Sequence, residues 1–180
     1  MKIAIVSTHP IQYNAPLFKA MQAQDDMDIH VFYTRAGKEE TRYDKQFGQA
    51  FSWDIPLLEG YPYTRLGNRG KQSGFFRAVN PGLIAAIRAF RPDAVWVYGW
   101  DMFSHMRVMQ HFKGRIPVLF RGDSNLLLPM GPLRQKIRRL VLKQVYRFID
   151  YALYVGTANK AYFLAHGVPE SHLCFAPHAI

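Results

Sequence analysis

A single cysteine, Cys174, stands in 180 residues. One thiol cannot build an internal disulfide framework, so the chain relies on a packed core and fits a reducing compartment. Flanked by Leu173 and Phe175, that thiol is expected at a buried strand position. Long apolar runs are missing too: nothing approaches the roughly 18 residues of a membrane span, and Met1 to Val6 is too short for the apolar part of a signal peptide. Acidic residues are scarce, 13 Asp and Glu against 23 Lys and Arg, for a net charge of +10. That surplus points to an anionic partner: a phosphate-bearing substrate, an acidic lipid surface or a nucleic acid. The expected location is the cytoplasm, with peripheral attachment to the inner face of a membrane left open.

Several motifs are absent as well. No G-x-G-x-x-G follows the first apolar run and no G-x-x-x-x-G-K-[ST] occurs, so dehydrogenase and NTPase chemistry lack their fingerprints. The seven histidines, at 9, 30, 105, 111, 166, 172 and 178, show neither paired helical spacing nor cysteine partners, and no metal is expected. There is no G-x-S-x-G elbow, and Ser124 in RGDS has no identifiable base.

What is present is a globular composition, 49% hydrophobic and 14% aromatic, in a length that suits one domain. Short runs rich in β-branched and aromatic residues alternate with helical patterns, the signature of parallel βαβ units. Strands are expected at 2–7, 29–34, 94–98, 117–120, 151–155 and 171–175. Helices are expected from Asn14 as cap to about Met21, from Asn80 as cap with Pro81 in the first turn to Phe90 before Pro92, at 102–112, at 133–149, and from Thr157 as cap to a stop at Gly167. Residues 41–63 stay largely open: QAFSWDIPLL is a candidate strand, but Pro56 and Pro62 interrupt any regular pattern. The fold class is α/β: a Rossmann-like doubly wound, mainly parallel sheet with helices on both faces.

In open α/β sheets ligands bind beyond the carboxyl ends of the strands, so the residues just after each strand are the candidates. They are His9, Gln12, Tyr13 and Asn14 in the loop STHPIQYNAP; Trp100 and Asp101 after AVWVY; Arg121, Asp123 and Ser124 after PVLF; and Gly156 with Thr157 after YALYV. Either the first loop hydrogen-bonds hydroxyls or phosphate, with amides and the dipole of the following helix turned to an anion, or it is a plain polar connection capped by Asn14. Arg121 is placed to grip phosphate as a fork and Asp123 to accept from a hydroxyl, or the two neutralise each other as a structural pair. Trp100 either offers its ring face to a ligand or belongs to the core.

HPIQYNAPLF, PVLFRGDSNL and, above all, YVGTANKAYFLAHGVPESHLCFAPHAI resemble the amino-terminal half of GT-B glycosyltransferases of the retaining group 1, or family 4, type. The likeness runs along the whole chain and is weakest over 36–79. It implies a domain that binds the acceptor, a glycan or lipid-linked molecule, while a carboxyl-terminal domain beyond Ile180 holds the nucleotide-sugar donor as co-substrate. It implies retention at the anomeric carbon, with the leaving diphosphate helping to deprotonate the acceptor, no cofactor, and no turnover by this half alone. The chain departs from many relatives in lacking both a glycine-rich turn after the first strand and a histidine near Arg121. The resemblance also implies a role in surface polysaccharide or glycolipid assembly.

Two basic segments complete the reading. In PLRQKIRRLVLKQVYRFI, Lys136, Arg139, Lys143 and Arg147 form one helical stripe beside an apolar face of Leu133, Ile137, Leu140, Val141 and Phe148. The apolar face is expected to pack on the sheet, and the stripe either meets anionic headgroups or simply faces water. The segment 64–77, with three glycines among four cations, reads as a mobile loop bearing Phe75 and Phe76. A non-catalytic basic Rossmann-like module that binds nucleic acid or an anionic surface is the alternative function, but no recognised nucleic-acid motif or stacking platform appears, and nucleic acid is not the expected partner. A sugar-nucleotide enzyme of another mechanism, such as an epimerase, is a further alternative.

Overall fold

The computed structural model describes residues 1–35, 42–44, 49–51, 56–67, 79–100, 102–127 and 131–178, with the backbone alone for 42–44 and 49–51. The expected strand in QAFSWDIPLL falls partly, and the expected loop at 64–77 mostly, outside these residues.

Strand β1 (Lys2–Ser7) is buried from Ile3 onward, as a strand covered on both faces requires. It lies parallel to β2 (Asp28–Tyr33) on one side and β6 (Ala94–Tyr98) on the other. With β5 (Tyr63–Arg65), β7 (Val118–Arg121), β8 (Tyr151–Tyr154) and β9 (Leu173–Phe175) they form one seven-stranded sheet, ordered β5-β2-β1-β6-β7-β8-β9 and parallel throughout. Strands β3 (Arg42–Asp44) and β4 (Gln49–Phe51) pair separately as an antiparallel hairpin.

The handedness of parallel crossovers fixes where the helices go. The chain moves outward from β1 to β2, so α1 (Ala15–Gln22) lands on one face, where Phe18 packs with Ile3, Ile5, Ile29, Val31 and Trp96. It then reverses and runs from β6 to β9, so right-handed crossovers carry α2 (Leu83–Phe90), α3 (Phe103–Phe112), α4 (Pro132–Val145) and α5 (Thr157–Ala165) to the opposite face. There Leu83, Ile87, Val108, Met109, Leu142 and Phe163 cover Ala4, Val6, Val95, Val97, Val118, Phe120 and Ala152. Side chains alternate along each strand between the two cores, as a pleat demands. The expected doubly wound sheet is therefore present, with the α-helices of the described residues divided one against four.

Several local expectations need correction. Asn14 opens α1 without a side-chain cap bond, its backbone already helical at φ −96° and ψ −32°. Asn80 does not cap α2, which begins at Leu83 after Gly82 at φ 86°. Its buried amide instead donates to the carbonyls of Thr34 (2.8 Å), Leu66 (3.2 Å) and Gly67 (3.2 Å), tying three chain segments together. Thr157 lies inside α5, and Gly156 is the capping position. Helix α4 ends at Val145 in a 3-10 turn, Tyr146–Phe148, and a second such turn, Glu170–His172, shortens the last strand to Leu173–Phe175.

Cys174 is exposed rather than buried. It pairs in register with Leu153 on the edge strand, and Leu153 belongs to the face carrying α1. The crossovers from β6 to β9 send their helices to the other face, so this position has no helix over it among the described residues. The apolar face assigned to α4 is likewise misplaced. Leu142, Val145 and the following Tyr146 pack inward, Phe148 lies partly buried against the same core, and Leu133, Ile137, Leu140 and Val141 face solvent.

Candidate functional site

The strand order reverses between β1 and β6, which opens a crevice at their carboxyl ends. Its walls are the loop after β1, Gly99 and Trp100 after β6, the segment after β7 and the residues after β9. A buried polar network braces this rim. His105 near the start of α3 is fully buried, its Nδ1 donating to the Gly99 carbonyl (3.1 Å) and its Nε2 2.9 Å from Thr34 Oγ1. Ser104 Oγ accepts from the Asn80 amide at 2.7 Å.

Arg121 closes β7 and is 2% exposed, yet no carboxylate touches its guanidinium among the described residues. Its Nη2 donates to His178 Nδ1 at 3.2 Å, the guanidinium lies 5.9 Å from the centre of the Tyr98 ring, and Nε has no hydrogen-bond partner. A cation removed from water in this way carries a solvation deficit that an anion would relieve. Tyr98 beside it also has an unpartnered hydroxyl. Burial pushes its pKa well up, against the pull of the Arg121 charge, so the phenol stays protonated and can donate.

Because an arginine can only donate, His178 Nδ1 is the acceptor and the ring proton sits on Nε2. That nitrogen faces Asp123 Oδ1 at 3.6 Å, and the ring packs 5.8 Å from that of Tyr13. Arg121 and Asp123 are thus not a mutual ion pair; they flank a histidine to which sequence reasoning gave no role. Asp123 is exposed and open to an incoming hydroxyl.

The segment Arg121 to Ser124 is held by a second residue that sequence reasoning missed. Buried Asn159 donates from Nδ2 to the carbonyls of Gly122 (2.8 Å) and Ser124 (2.7 Å), while its Oδ1 accepts from the Val155 amide at 3.1 Å. Its position in the first turn of α5, beside Gly156 and Thr157, was the available signal. A cavity of about 190 Å³ opens here between Gly99, Trp100, Gly122, Asp123 and Ser124, with Phe120 and Tyr146 completing its lining. A larger one, about 430 Å³, lies away from the strand ends between α2 and α3. Its position off the crevice makes it the weaker candidate despite its size.

The structure therefore brings Tyr13, Arg121 and Asp123 together around His178, and Trp100, Asp123 and Ser124 around one cavity. Trp100 packs partly buried against the main core, as the second of its two readings expects, while also lining this cavity. His9 pairs with Thr8 Oγ1 through Nδ1 at 2.9 Å and, like Gln12, is half-buried in the first loop. Asn14 is buried, and its amide and that of Ala15 both donate to the Ile11 carbonyl at 3.1 Å. With Pro16 lacking an N–H, the start of α1 offers an anion fewer amides than expected. Gly156 and Thr157 stand at the start of α5, and Asp101 lies outside the described residues. Lys136, Arg139, Lys143 and Arg147 are exposed along α4 and its 3-10 turn, away from this cluster. Among the described residues no three His, Cys, Asp or Glu side chains are grouped to hold a metal, and no helix is long and apolar enough to cross a membrane.

A family model for the glycosyl transferase 4-like domain matches residues 11–179. No curated protein matches the chain. Among solved structures, the S. aureus MnaA–UDP complex is similar over 97% of this chain and 44% of its own, at 16% identity and a TM-score of 0.62. UDP-GlcNAc 2-epimerase from Neisseria meningitidis, bound to UDP-GlcNAc, is similar over 97% and 45%, at 18% identity and a TM-score of 0.62. Anabaena Alr3699/HepE, in complex with UDP and glucose, is similar over 100% and 45%, at 18% identity and a TM-score of 0.59. The chain thus spans less than half the length of these structures, and at such identities the likeness establishes the fold.

Proposed function

Because the chain belongs to the glycosyl transferase 4-like domain family, we propose that it is the acceptor-binding half of a retaining glycosyltransferase. In this reading a second domain supplies most of the donor site, and a sugar passes from a nucleotide-sugar donor to a glycan or lipid-linked acceptor. The observation that carries the site assignment is the buried Arg121 guanidinium, with its unpartnered Nε and no carboxylate among its described contacts, at the rim of the crevice.

The chemistry follows from what these groups can hold. Arg121 grips a substrate phosphate oxygen in a site with little water, where a charge-assisted bond is at its strongest. Asp123 accepts a hydrogen bond from the acceptor hydroxyl, and His178 keeps the carboxylate and guanidinium apart and aimed. The hydroxyl oxygen bonds to the anomeric carbon on the face from which the diphosphate departs. The carbon–oxygen bond to the diphosphate breaks, and the hydroxyl proton passes to the leaving diphosphate oxygen. Trp100 and Ser124 line the space beside this exchange. No cofactor enters this scheme.

The test is to incubate the intact protein with a panel of nucleoside diphosphate sugars, with and without glycan and polyprenyl-linked acceptors. Release of nucleoside diphosphate that depends on acceptor, with the donor's anomeric configuration kept in the product, is the expected result. Interconversion of one sugar nucleotide into its epimer without acceptor would replace this reading with an epimerase.

A further inference from the structure

From Ser124 to Ile149 the chain carries six Lys and Arg and no Asp or Glu. Helix α4 occupies most of that stretch. At about 100° per residue, Leu142 and Val145, which pack inward, lie on one side of the helix with Arg138 between them. The other side holds Leu133, Ile137, Leu140 and Val141 on a stripe about 100° wide. These are 71%, 54%, 60% and 44% exposed, and Leu126 and Leu127 just before the helix are exposed too. Lys136, Arg139 and Lys143 border the stripe on one edge and Arg134 on the other.

Four large aliphatic side chains in water along one helix face are unfavourable unless something covers them. A nucleic acid would use the cations and leave the aliphatics idle, whereas a membrane interface uses both: apolar residues enter the acyl boundary while flanking cations meet anionic headgroups. We propose that α4 is an interfacial helix that seats this domain on an acidic phospholipid surface, with Leu133, Ile137 and Leu140 inserted and Arg134, Lys136, Arg139 and Lys143 on the headgroups. Charge complementarity selects this occupant, since an unbroken run without a carboxylate has little to offer a protein partner of mixed charge. The proposal stands on α4 alone and is independent of the site chemistry at Arg121.

The experiment is sedimentation of the intact protein with vesicles of phosphatidylcholine alone or mixed with phosphatidylglycerol. Binding to the mixed vesicles is expected to exceed binding to phosphatidylcholine by about a hundredfold or more, near fivefold for each cation engaged. Lys136→Gln, Arg139→Gln and Lys143→Gln together are expected to remove about a hundredfold. Leu133→Gln, Ile137→Gln and Leu140→Gln together keep every charge and, lying on an exposed face, leave the melting temperature in place. They are expected to weaken vesicle binding at least tenfold. Equal binding to both vesicle types, binding untouched by the leucine and isoleucine changes, or competition by RNA that those changes leave intact would each overturn the proposal. A protein that ignores vesicles would overturn it too, whether it proves a dimer that the same changes dissociate or a monomer with the stripe covered by its own second domain.

Discussion

Replacing Asn159 by alanine isolates the support of the site from its chemistry. The side chain makes three hydrogen bonds to backbone, from the Val155 amide and to the carbonyls of Gly122 and Ser124. It is buried at 4% exposure, so truncation leaves these groups poorly replaced by water. At about 1 kcal/mol net for each bond the loss is about 3 kcal/mol. In a domain of this size about 1 kcal/mol shifts the melting temperature by roughly 2–4 °C, so Asn159→Ala should melt about 6–12 °C lower. Asn159→Asp keeps the acceptor for Val155 but turns an oxygen toward two carbonyls, and is expected to melt no higher than the alanine variant. Scanning calorimetry gives the shift, and hydrogen exchange over residues 121–127 should rise in both variants. A melting temperature within about 1 °C of wild type, with unchanged exchange, would refute the idea that this amide holds the Arg121 segment.

Two further outcomes test the fold away from the site. Burial holds the His166 pKa below its ordinary 6.5, opposed by its bond to the Tyr162 carbonyl and reinforced by the Arg138 and Arg139 charges. The unfolded chain therefore takes protons at a higher pH than the folded one, so this stability is complete above 6.5 and is lost as pH falls through the depressed folded value. His30, also lowered by burial, acts in the same direction. Thermal melts of His166→Gln are expected to show a shallower acid-side slope than wild type, and an identical slope would contradict the assignment. Gly60 sits at φ 85°, where an added Cβ would lie 2.8 Å from Lys19 Cγ. The lysine can move aside but the backbone cannot, so Gly60→Ala is expected to cost about 1–2 kcal/mol in denaturant unfolding.

Local pattern was enough for the sheet and not for the site. AVWVY and KIAIVS are strands with the expected bounds, because a run buried on both faces leaves no other regular structure of that length. PVLF shifts to Val118–Arg121 because Pro117 has no amide for the ladder, although its carbonyl still accepts from Val95 at 3.0 Å. Asn80 shows where local rules fail. Asn followed by Pro reads as a helix start, but the partners of its side chain lie 46, 14 and 13 residues away and outbid the cap. The same holds for His178, whose bond to Arg121 spans 57 residues, and for Asn159, whose partners at Gly122 and Ser124 are 37 and 35 residues off. Strand-end position marked Arg121 and Asp123 as candidates, but only the folded chain brings a histidine between them. On α4 the apolar periodicity was visible, and the inward face went to the wrong residues because Leu142 and Val145 fill the core while more numerous aliphatics stay outside.

The most direct measurement is kcat/KM for sugar transfer by the intact protein with Arg121 replaced by alanine and by lysine. If the buried guanidinium holds a substrate phosphate, Arg121→Ala is expected to lose about a hundredfold or more. Arg121→Lys should recover little of that, because an ammonium lacks the planar fork. Both variants should still bind free acceptor glycan lacking phosphate. Transfer within about threefold of wild type in a folded Arg121→Ala protein would contradict the assignment of this crevice as the seat of the reaction.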